Sequence, residues 1–409
     1  MKRYTCANSY ISPYFSKMAA MKQLIPITFF LFIFSLISAG QNGITVIKGQ
    51  VTDQETREGI AFVSIGIEGT SQGTATNPEG YFELKVQDEL KSKNLSFSAI
   101  GFKNSSRPIA DFIQQPGLII LLVPQAYRIE EIDVAAESLV LQRILRTTSE
   151  RIPQNYVSGP LTMKLYVENR EATDGEAGKS ARSIVNLSDA GGYANPSWTN
   201  AYKNRNYKIT EIQLDDPQTD PSEAGTRIDE LLEMDVVRLS NTILSQNLIT
   251  DYRLKLEAKT RYNNDSVWII SYQAIKTDLA HTGSFYPASF TGKIYIGCRD
   301  YAVLRNEIHL TESKSGSQGR SLAAKTSQQI QPQMNITVGY RKSDGKYVLS
   351  FINSEKQFTT PQKKRIYRSD KMTILETGKS NHKLIQGRDY YSEVRPNETF
   401  WASFSIPSN

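Results

Sequence analysis

The sequence predicts a mostly β protein, with a small N-terminal β-sandwich followed by a larger antiparallel β-domain carrying a few helices. Three observations predict it. Short apolar runs of period two recur between Val46 and Val123, at the spacing of a sandwich. Gly-, Asn- and Pro-containing turns separate them, as at Asn77-Pro78-Glu79-Gly80. From Gly159 onward alternating runs continue to Phe358, with little of helical period between them.

Residues 1–40 come first, and they read as an export leader. They hold Lys2, Arg3, Lys17 and Lys22 and no acidic residue. Leu24 to Ile37 is strongly apolar, and Ser38-Ala39-Gly40 supplies small residues for cleavage. Met21 is the expected natural start. The apolar run of about 14 residues falls short of the ~20 that a membrane-spanning helix needs. No cysteine follows it to carry a lipid, and no later segment has spanning length.

Residues 44–124 are assigned to the sandwich. Val46 to Val51 is a strand that stops at Thr52-Asp53, and Ile60 to Ile67 is a second, closed by Gly69-Thr70. In the Asn77–Gly80 turn, Asn accepts backbone hydrogen bonds, Pro pre-sets φ, and Gly suits the last position. Phe82, Leu84 and Val86 then alternate with Glu83 and Lys85. Leu95, Phe97 and Ala99 repeat the period, and Leu118 to Val123 is continuously apolar.

These residues carry a resemblance. Gly49-x-Val51, Ala61-x-Val63, Gly69-Thr70-x-x-Gly73-Thr74-x-Thr76, Gly80-x-Phe82 and Ile100-Gly101-Phe102 resemble the carboxypeptidase-regulatory-like domain, an Ig/transthyretin-like sandwich common in envelope proteins of the Bacteroidetes. Asn77 stands where that family usually has Asp. The resemblance implies a non-catalytic accessory module, not a peptidase.

Residues 125–158 form a connector. Ile129 to Val134 reads as a polar-apolar strand. Ser138 is placed to cap a helix whose Leu141, Ile144, Leu145, Thr148 and Ile152 share one face, and Pro153 stops it. The helix either braces the two domains or belongs to the second.

Residues 159–409 form the larger β-domain. Leu161 to Val167 alternates. Glu171 to Glu176 is expected as an acidic loop and Asp215 to Gly225 as an exposed insertion. Ile228, Leu231, Leu232, Leu239 and Ile243 suggest a second helix. Strands follow at Tyr252–Ala258, Ser266–Gln273, Phe290–Gly297, Ala302–Thr311, Asn335–Tyr340 and Tyr347–Phe358, the last two joined by an Asp344-Gly345 hairpin. Tyr252-x-Leu254-x-Leu256, Gly292-x-Ile294-Tyr295-Ile296, Gly345-x-Tyr347-x-Leu349 and Phe400-Trp401 resemble the C-terminal region of stand-alone Bacteroidetes proteins bearing the regulatory-like domain. An antiparallel sheet with helices on one face is also similar in outline to periplasmic lipoprotein-carrier half-barrels. A TonB-dependent receptor uses the same N-terminal domain, but too little chain follows Val123 for its 22-stranded barrel.

Charge and cysteine count narrow the function classes. The formal charge is +6 and the pI about 9.0, but four of the cations sit in the leader. The remainder is close to neutral, so no nucleic-acid partner is expected. Lys363-Lys364-Arg365 reads as a solvated strand end. Cys6 leaves with the leader, so Cys298 stands alone without a disulfide.

Catalytic constellations are weak. His309-Leu310-Thr311-Glu312 satisfies the H-x-x-E of zinc carboxypeptidases. A metal reading takes His309, Glu312 and His382 as ligands. Residues three apart in a strand face opposite sides, and the family's accompanying Arg is absent, so no metal is expected. Cys298, beside Arg299, reads as structural and Asp215-Asp216 as loop acids. No G-x-S-x-G elbow, P-loop or dinucleotide fingerprint occurs, so neither catalytic residues nor a cofactor is assigned.

Aromatic content is more suggestive, with 21 Tyr against 3 Trp. Tyr193, Trp198, Tyr202 and Tyr207 cluster in a Gly- and Asn-rich stretch and are the candidate ligand contacts. Asp265-Ser266-Val267 resembles the Bacteroidetes periplasmic O-glycosylation motif. The sequence thus points to an exported, periplasmic or outer-membrane-associated protein that is not an enzyme. It would bind an envelope protein, a glycan or a lipid, with an apolar ligand or partner in the concave face of the larger domain. A secreted zinc carboxypeptidase or glycan hydrolase is the alternative.

Overall fold

The computed structural model describes residues 44–70, 72–127, 134–194, 205–215, 228–263, 265–284, 286–313, 330–360, 363–379, 384–385, 387, 394 and 396–404. The architecture is mostly β, with a two-sheet sandwich followed by one large antiparallel sheet.

The sandwich strands are β1 (Ile44–Asp53), β2 (Ser64–Ile67), β3 (Gly73–Ala75), β4 (Tyr81–Gln87), β5 (Asn94–Ser98), β6 (Ser105–Pro108) and β7 (Leu118–Leu122). They form sheets of order β4-β1-β7 and β3-β2-β5-β6, with β7 parallel to β1. The alternation in β4 does the expected work. Phe82, Leu84 and Val86 are buried, and meet Leu95, Phe97 and Ala99 across the core. Phe82 lies edge-on to Phe97 and Phe112, at 5.8 and 5.9 Å. Its ring also fills the space above Gly49, where an added Cβ would lie 2.7 Å from it. In the Asn77–Gly80 turn, Gly80 N donates to Asn77 O (2.9 Å) and Tyr81 N to Asn77 Oδ1 (2.7 Å), with Gly80 at φ +83°.

Two sandwich expectations change. The strand expected over Ile60–Ile67 begins only at Ser64, because Phe62 turns the chain at φ 58°. The apolar run Leu118–Val123 is not buried throughout. Ile120 and Leu122 face the core while Ile119 and Leu121 are exposed, as the period of two demands of a strand covered on one side.

The large sheet is built from β9 (Leu161–Thr173), β10 (Glu176–Asp189), β11 (Arg205–Leu214), β12 (Tyr252–Tyr262), β13 (Asp265–Ala274), β14 (Pro287–Gly297), β15 (Val303–Glu312), β16 (Ile330–Ser343), β17 (Lys346–Thr359) and β18 (Arg365–Lys379), with the two-residue β8 (Ala126–Tyr127) beside β12. Its order is β11-β10-β9-β18-β17-β16-β15-β14-β13-β12-β8. Two meanders are therefore joined where β18 pairs with β9. Both edges are blunted. Glu137 Oε1 accepts from Leu256 N on β12 (2.6 Å), and Trp401 Nε1 donates to Ile212 O on β11 (3.0 Å).

One face of all ten strands shares a single hydrophobic cluster with the helices. The long helix Val134–Glu150 lays Leu141, Ile144 and Leu145 into it and buries Thr148 on the same face, so this helix belongs to the larger core. It starts at Val134, which puts Ser138 inside the helix and not at its cap. The second helix is broken in three: Ile228–Leu232, Val236–Leu239 and the 3-10 turn Thr242–Leu244. All five apolar residues that suggested it are nonetheless buried. Asp235 caps the second piece through Arg238 N (3.1 Å), and Ser240 at φ 47° ends it.

Glu171 to Glu176 is not a loop. It is the β9–β10 hairpin, turning at Asp174-Gly175 with both residues at positive φ, the same chemistry as Asp344-Gly345. Strands β10, β11 and β18 fall where the sequence offered no clean alternation. The connector strand expected over Ile129–Val134 and the insertion expected after Asp215 lie almost wholly outside the described residues. Among the described residues no helix is long and apolar enough to cross a membrane.

Candidate functional site

Two of the four aromatic residues of the tyrosine-rich stretch are buried in the core. Tyr193 and Tyr207 are each 2% exposed and belong to the large core; Trp198 and Tyr202 lie outside the described residues. Tyr193 is drawn inward by a buried polar knot. Its hydroxyl donates to Asp235 Oδ2 (2.9 Å), and Tyr340 donates to Asp235 Oδ1 (2.8 Å). Arg205 and Arg238 converge on Asp189 Oδ2, each through Nε at 3.0 Å, while Gly191 N and Gly192 N donate to Asp189 Oδ1 at 2.9 Å. Tyr156 packs against Tyr193, Tyr340 and Tyr347 with ring centroids 5.0, 5.6 and 5.7 Å away. Burial would push the Asp189 carboxyl up, but Arg205 and Arg238 outweigh it and hold the group below the usual Asp range. Burial, reinforced by Asp235, raises Tyr193 and Tyr340. The knot pins β10, β11 and β16 to the capped helix.

The zinc constellation does not converge. His309 is exposed on one face of β15. Glu312 is 2% exposed on the other, where it accepts from Ser284 Oγ (2.6 Å) and faces Lys356 Nζ (3.4 Å). His382 lies outside the described residues. Among the described residues no three His, Cys, Asp or Glu side chains are grouped to hold a metal. Cys298 is half-buried just after β14, and burial pushes its thiol up, away from a reactive thiolate. A third histidine, His281, is buried between Asp278 (Nδ1 to Oδ1, 2.7 Å) and Asp251 (Nε2 to Oδ2, 2.9 Å). Burial would lower its pKa, but the two carboxylates outweigh it and hold it raised.

What the large sheet does offer is a groove of about 610 Å³ on its outer face, across β12 to β16. Cross-strand register lines it with two polar rows. One runs Arg253, Gln273, Thr291, His309, Asn335; the other runs Lys255, Ser271, Lys293, Glu307, Thr337. His309 Nδ1 meets Asn335 Oδ1 at 2.7 Å, and Lys255 pairs with Glu257 at 3.4 Å. Arg253 and Lys293 form no ion pair among the described residues. Glu307 is engaged sideways by Arg305 Nε (3.0 Å) and Tyr295 OH (3.2 Å), and burial with that carboxylate pushes Tyr295 up to about 12.

The sandwich docks beside this groove. Phe62 stacks on Phe351 with centroids 5.1 Å apart, and the Arg305 guanidinium lies 4.8 Å from the Phe62 ring. Phe351 lies flat because its cross-strand neighbours include Gly339, where a Cβ would sit 2.2 Å from the ring. Polar contacts complete the seat. Ser98 Oγ and Asn104 Nδ2 donate to Asn263 Oδ1, and Gly101 N donates to Arg261 O. A continuous path therefore runs from sandwich to groove through Phe62, Arg305 and Glu307. Sequence alternation marks these side chains as outward-facing, but their assembly into rows rests on register, which a single sequence does not display.

No curated protein matches the chain significantly. A family model does match its N-terminal part, and the match covers the strands described above from Ile47 to the start of the long helix. Residues 47–134 match the CarboxypepD_reg-like domain, and strands β1 to β7 within that span fold as a β-sandwich.

Proposed function

We propose that this chain is an exported cell-envelope protein of the Bacteroidetes type that acts by binding and not by catalysis. The CarboxypepD_reg-like sandwich serves as its accessory module, and the outer groove of the large sheet is its ligand face. One observation carries the reading. Five adjacent strands present two rows of hydrogen-bonding side chains to solvent, and Arg253 and Lys293 in them form no ion pair among the described residues.

Side chains of the helices pack into the hydrophobic cluster on the inner face of the sheet, which favours the outer face for a ligand over the apolar ligand expected in a concave face. The groove is polar, so its chemistry suits a glycan or a hydrophilic segment of an envelope protein better than a lipid chain. Export is supported by the leader-like composition of residues 1–40.

Native mass spectrometry on the protein purified from a periplasm without detergent tests this. A glycan or protein adduct that is lost in an Arg253→Ala/Lys293→Ala double variant supports the groove. An adduct retained in that variant removes the groove from the reading, and a stoichiometric zinc with hydrolase activity overturns the non-catalytic view altogether.

A further inference from the structure

A second hollow lies in the seam between the sandwich and the large sheet. It measures about 340 Å³ and is separated from the groove by the Arg305–Glu307 pair. Its sandwich wall is largely apolar, with Ile60, Ala61, Ile100 and Phe102. Its sheet wall carries two cations that are not equivalent. Arg305 is matched by Glu307 at 3.0 Å. Arg341 is half-buried and has no hydrogen bond or ion pair among the described residues.

Burial alone pulls the Arg341 pKa down, and no neighbouring carboxylate opposes it. Two acids stand on the sandwich wall and do not serve as its counter-ion. Asp53 Oδ1 is spent on Glu55 N (2.7 Å) and Thr56 N (3.3 Å), and Glu58 is exposed. A desolvated guanidinium without an anion is unfavourable, and the planar fork of arginine is shaped for one oxyanion. The volume sits at the small end of ligand pockets, and junctions between domains are a common place for them.

We propose that this cleft binds a small amphipathic anion. Its apolar body lies against Ile60, Ala61, Ile100 and Phe102, and its carboxylate or phosphate group is held by Arg341. Such a ligand touches both the sandwich and the sheet, so its binding stabilises their docked arrangement by mass action. This site is independent of the polar groove and of the reading based on it.

Isothermal titration of the full chain with decanoate, decyl phosphate and decanol tests the assignment. One saturable site for at least one anion is expected, with decanol binding at least ~10-fold more weakly. Arg341→Gln should weaken the anion at least ~10-fold, with circular dichroism unchanged, and Arg341→Lys should lose less. Ala61→Leu, which fills the apolar wall and keeps Arg341, should weaken it too. Arg253→Ala/Lys293→Ala should leave it unchanged, which separates failure here from failure of the groove. Tighter binding of decyl phosphate names a phosphate source and tighter binding of decanoate a carboxylate one. Equal affinity for decanol and the anions, or for Arg341→Gln and the native chain, overturns the anion anchor. No saturable binding of any probe overturns the site.

Discussion

Asp189→Asn is the sharpest test of how the large sheet is held. Asp189 is 1% exposed and takes five close donors: Arg205 Nε, Arg238 Nε and Nη2, and the backbone N–H groups of Gly191 and Gly192. An amide in its place leaves two buried guanidiniums facing a neutral group. Arg205 keeps Asp235 at 3.5 Å, but Arg238 has Asp189 as its ion-pair partner. Removing one member of a buried pair costs about 3–5 kcal/mol. We expect about 4 kcal/mol, a large share of the ~5–15 kcal/mol typical of a domain. Urea unfolding followed by near-ultraviolet tyrosine signals reads it, and the slope with denaturant should not change. The pH dependence follows from the depressed carboxyl. The contribution is fully present above the ordinary Asp value of 3.8 and is lost as pH falls through the lower folded value. A loss below about 1 kcal/mol at neutral pH, with an unchanged slope, would refute the view that this knot holds the sheet together.

Three further outcomes are expected. Phe82→Ala should cost about 3–5 kcal/mol, since Phe82 is 3% exposed and packed on two rings; under about 1 kcal/mol in urea titration would mean that the sandwich core is misassigned. Gly339→Ala forces Phe351 off the strand and unseats Phe62, so calorimetry should show about 1–3 kcal/mol lost and the sandwich melting apart from the large sheet; a single unshifted transition would sink the seat. His281 is raised by its two carboxylates. Its contribution is therefore fully present below the unfolded value of about 6.5 and is lost as pH rises through the higher folded value; a urea midpoint falling across that window, with the fall absent in His281→Gln, is the expected result, and a fall of equal size in the variant speaks against the residue.

Some of this structure was legible in the chain and some was not, for identifiable reasons. Phe82, Leu84 and Val86 announce a one-sided strand because period two is local. The helical face from Leu141 to Ile152 is equally local, and every residue of it is buried. The broken helix after Ile228 was not legible, because its break is made by Asp235 capping Arg238 N and by Ser240 in the left-handed region. Tyr193 and Tyr207 misled because a Gly/Asn-rich neighbourhood suggests an exposed loop, whereas Asp235 draws the Tyr193 hydroxyl into the core. The Asp174-Gly175 turn was there to be read, and its acidic flanks obscured it. The face that His309 and Glu312 take was readable from parity alone, and they diverge as parity requires.

The position of the groove follows from which surfaces of a ten-stranded sheet are left uncovered. Helix residues such as Leu141, Leu145, Ile228 and Val237 pack into the cluster on the inner face. On the outer face, Trp401 and Phe404 pack on Tyr166 and cover β9 and its neighbours, while Phe62 covers Arg305, Gly339 and Phe351. The stretch of β12 to β16 next to the sandwich stays open, as does a second hollow across β9 to β11 and β18. A sheet face left to water carries polar side chains at alternate positions, and that accounts for Thr291, Ser271 and Thr337 without any ligand. It does not by itself account for Arg253 and Lys293 standing in adjacent rows without an ion pair among the described residues, nor for Glu307 being held by Arg305 beneath the sandwich. If polarity were only the price of exposure, Arg253→Ser/Lys293→Ser would leave every interaction of the protein intact. If the groove is the ligand face, those two substitutions remove affinity while leaving the unfolding midpoint in place, because exposed cations contribute little to stability.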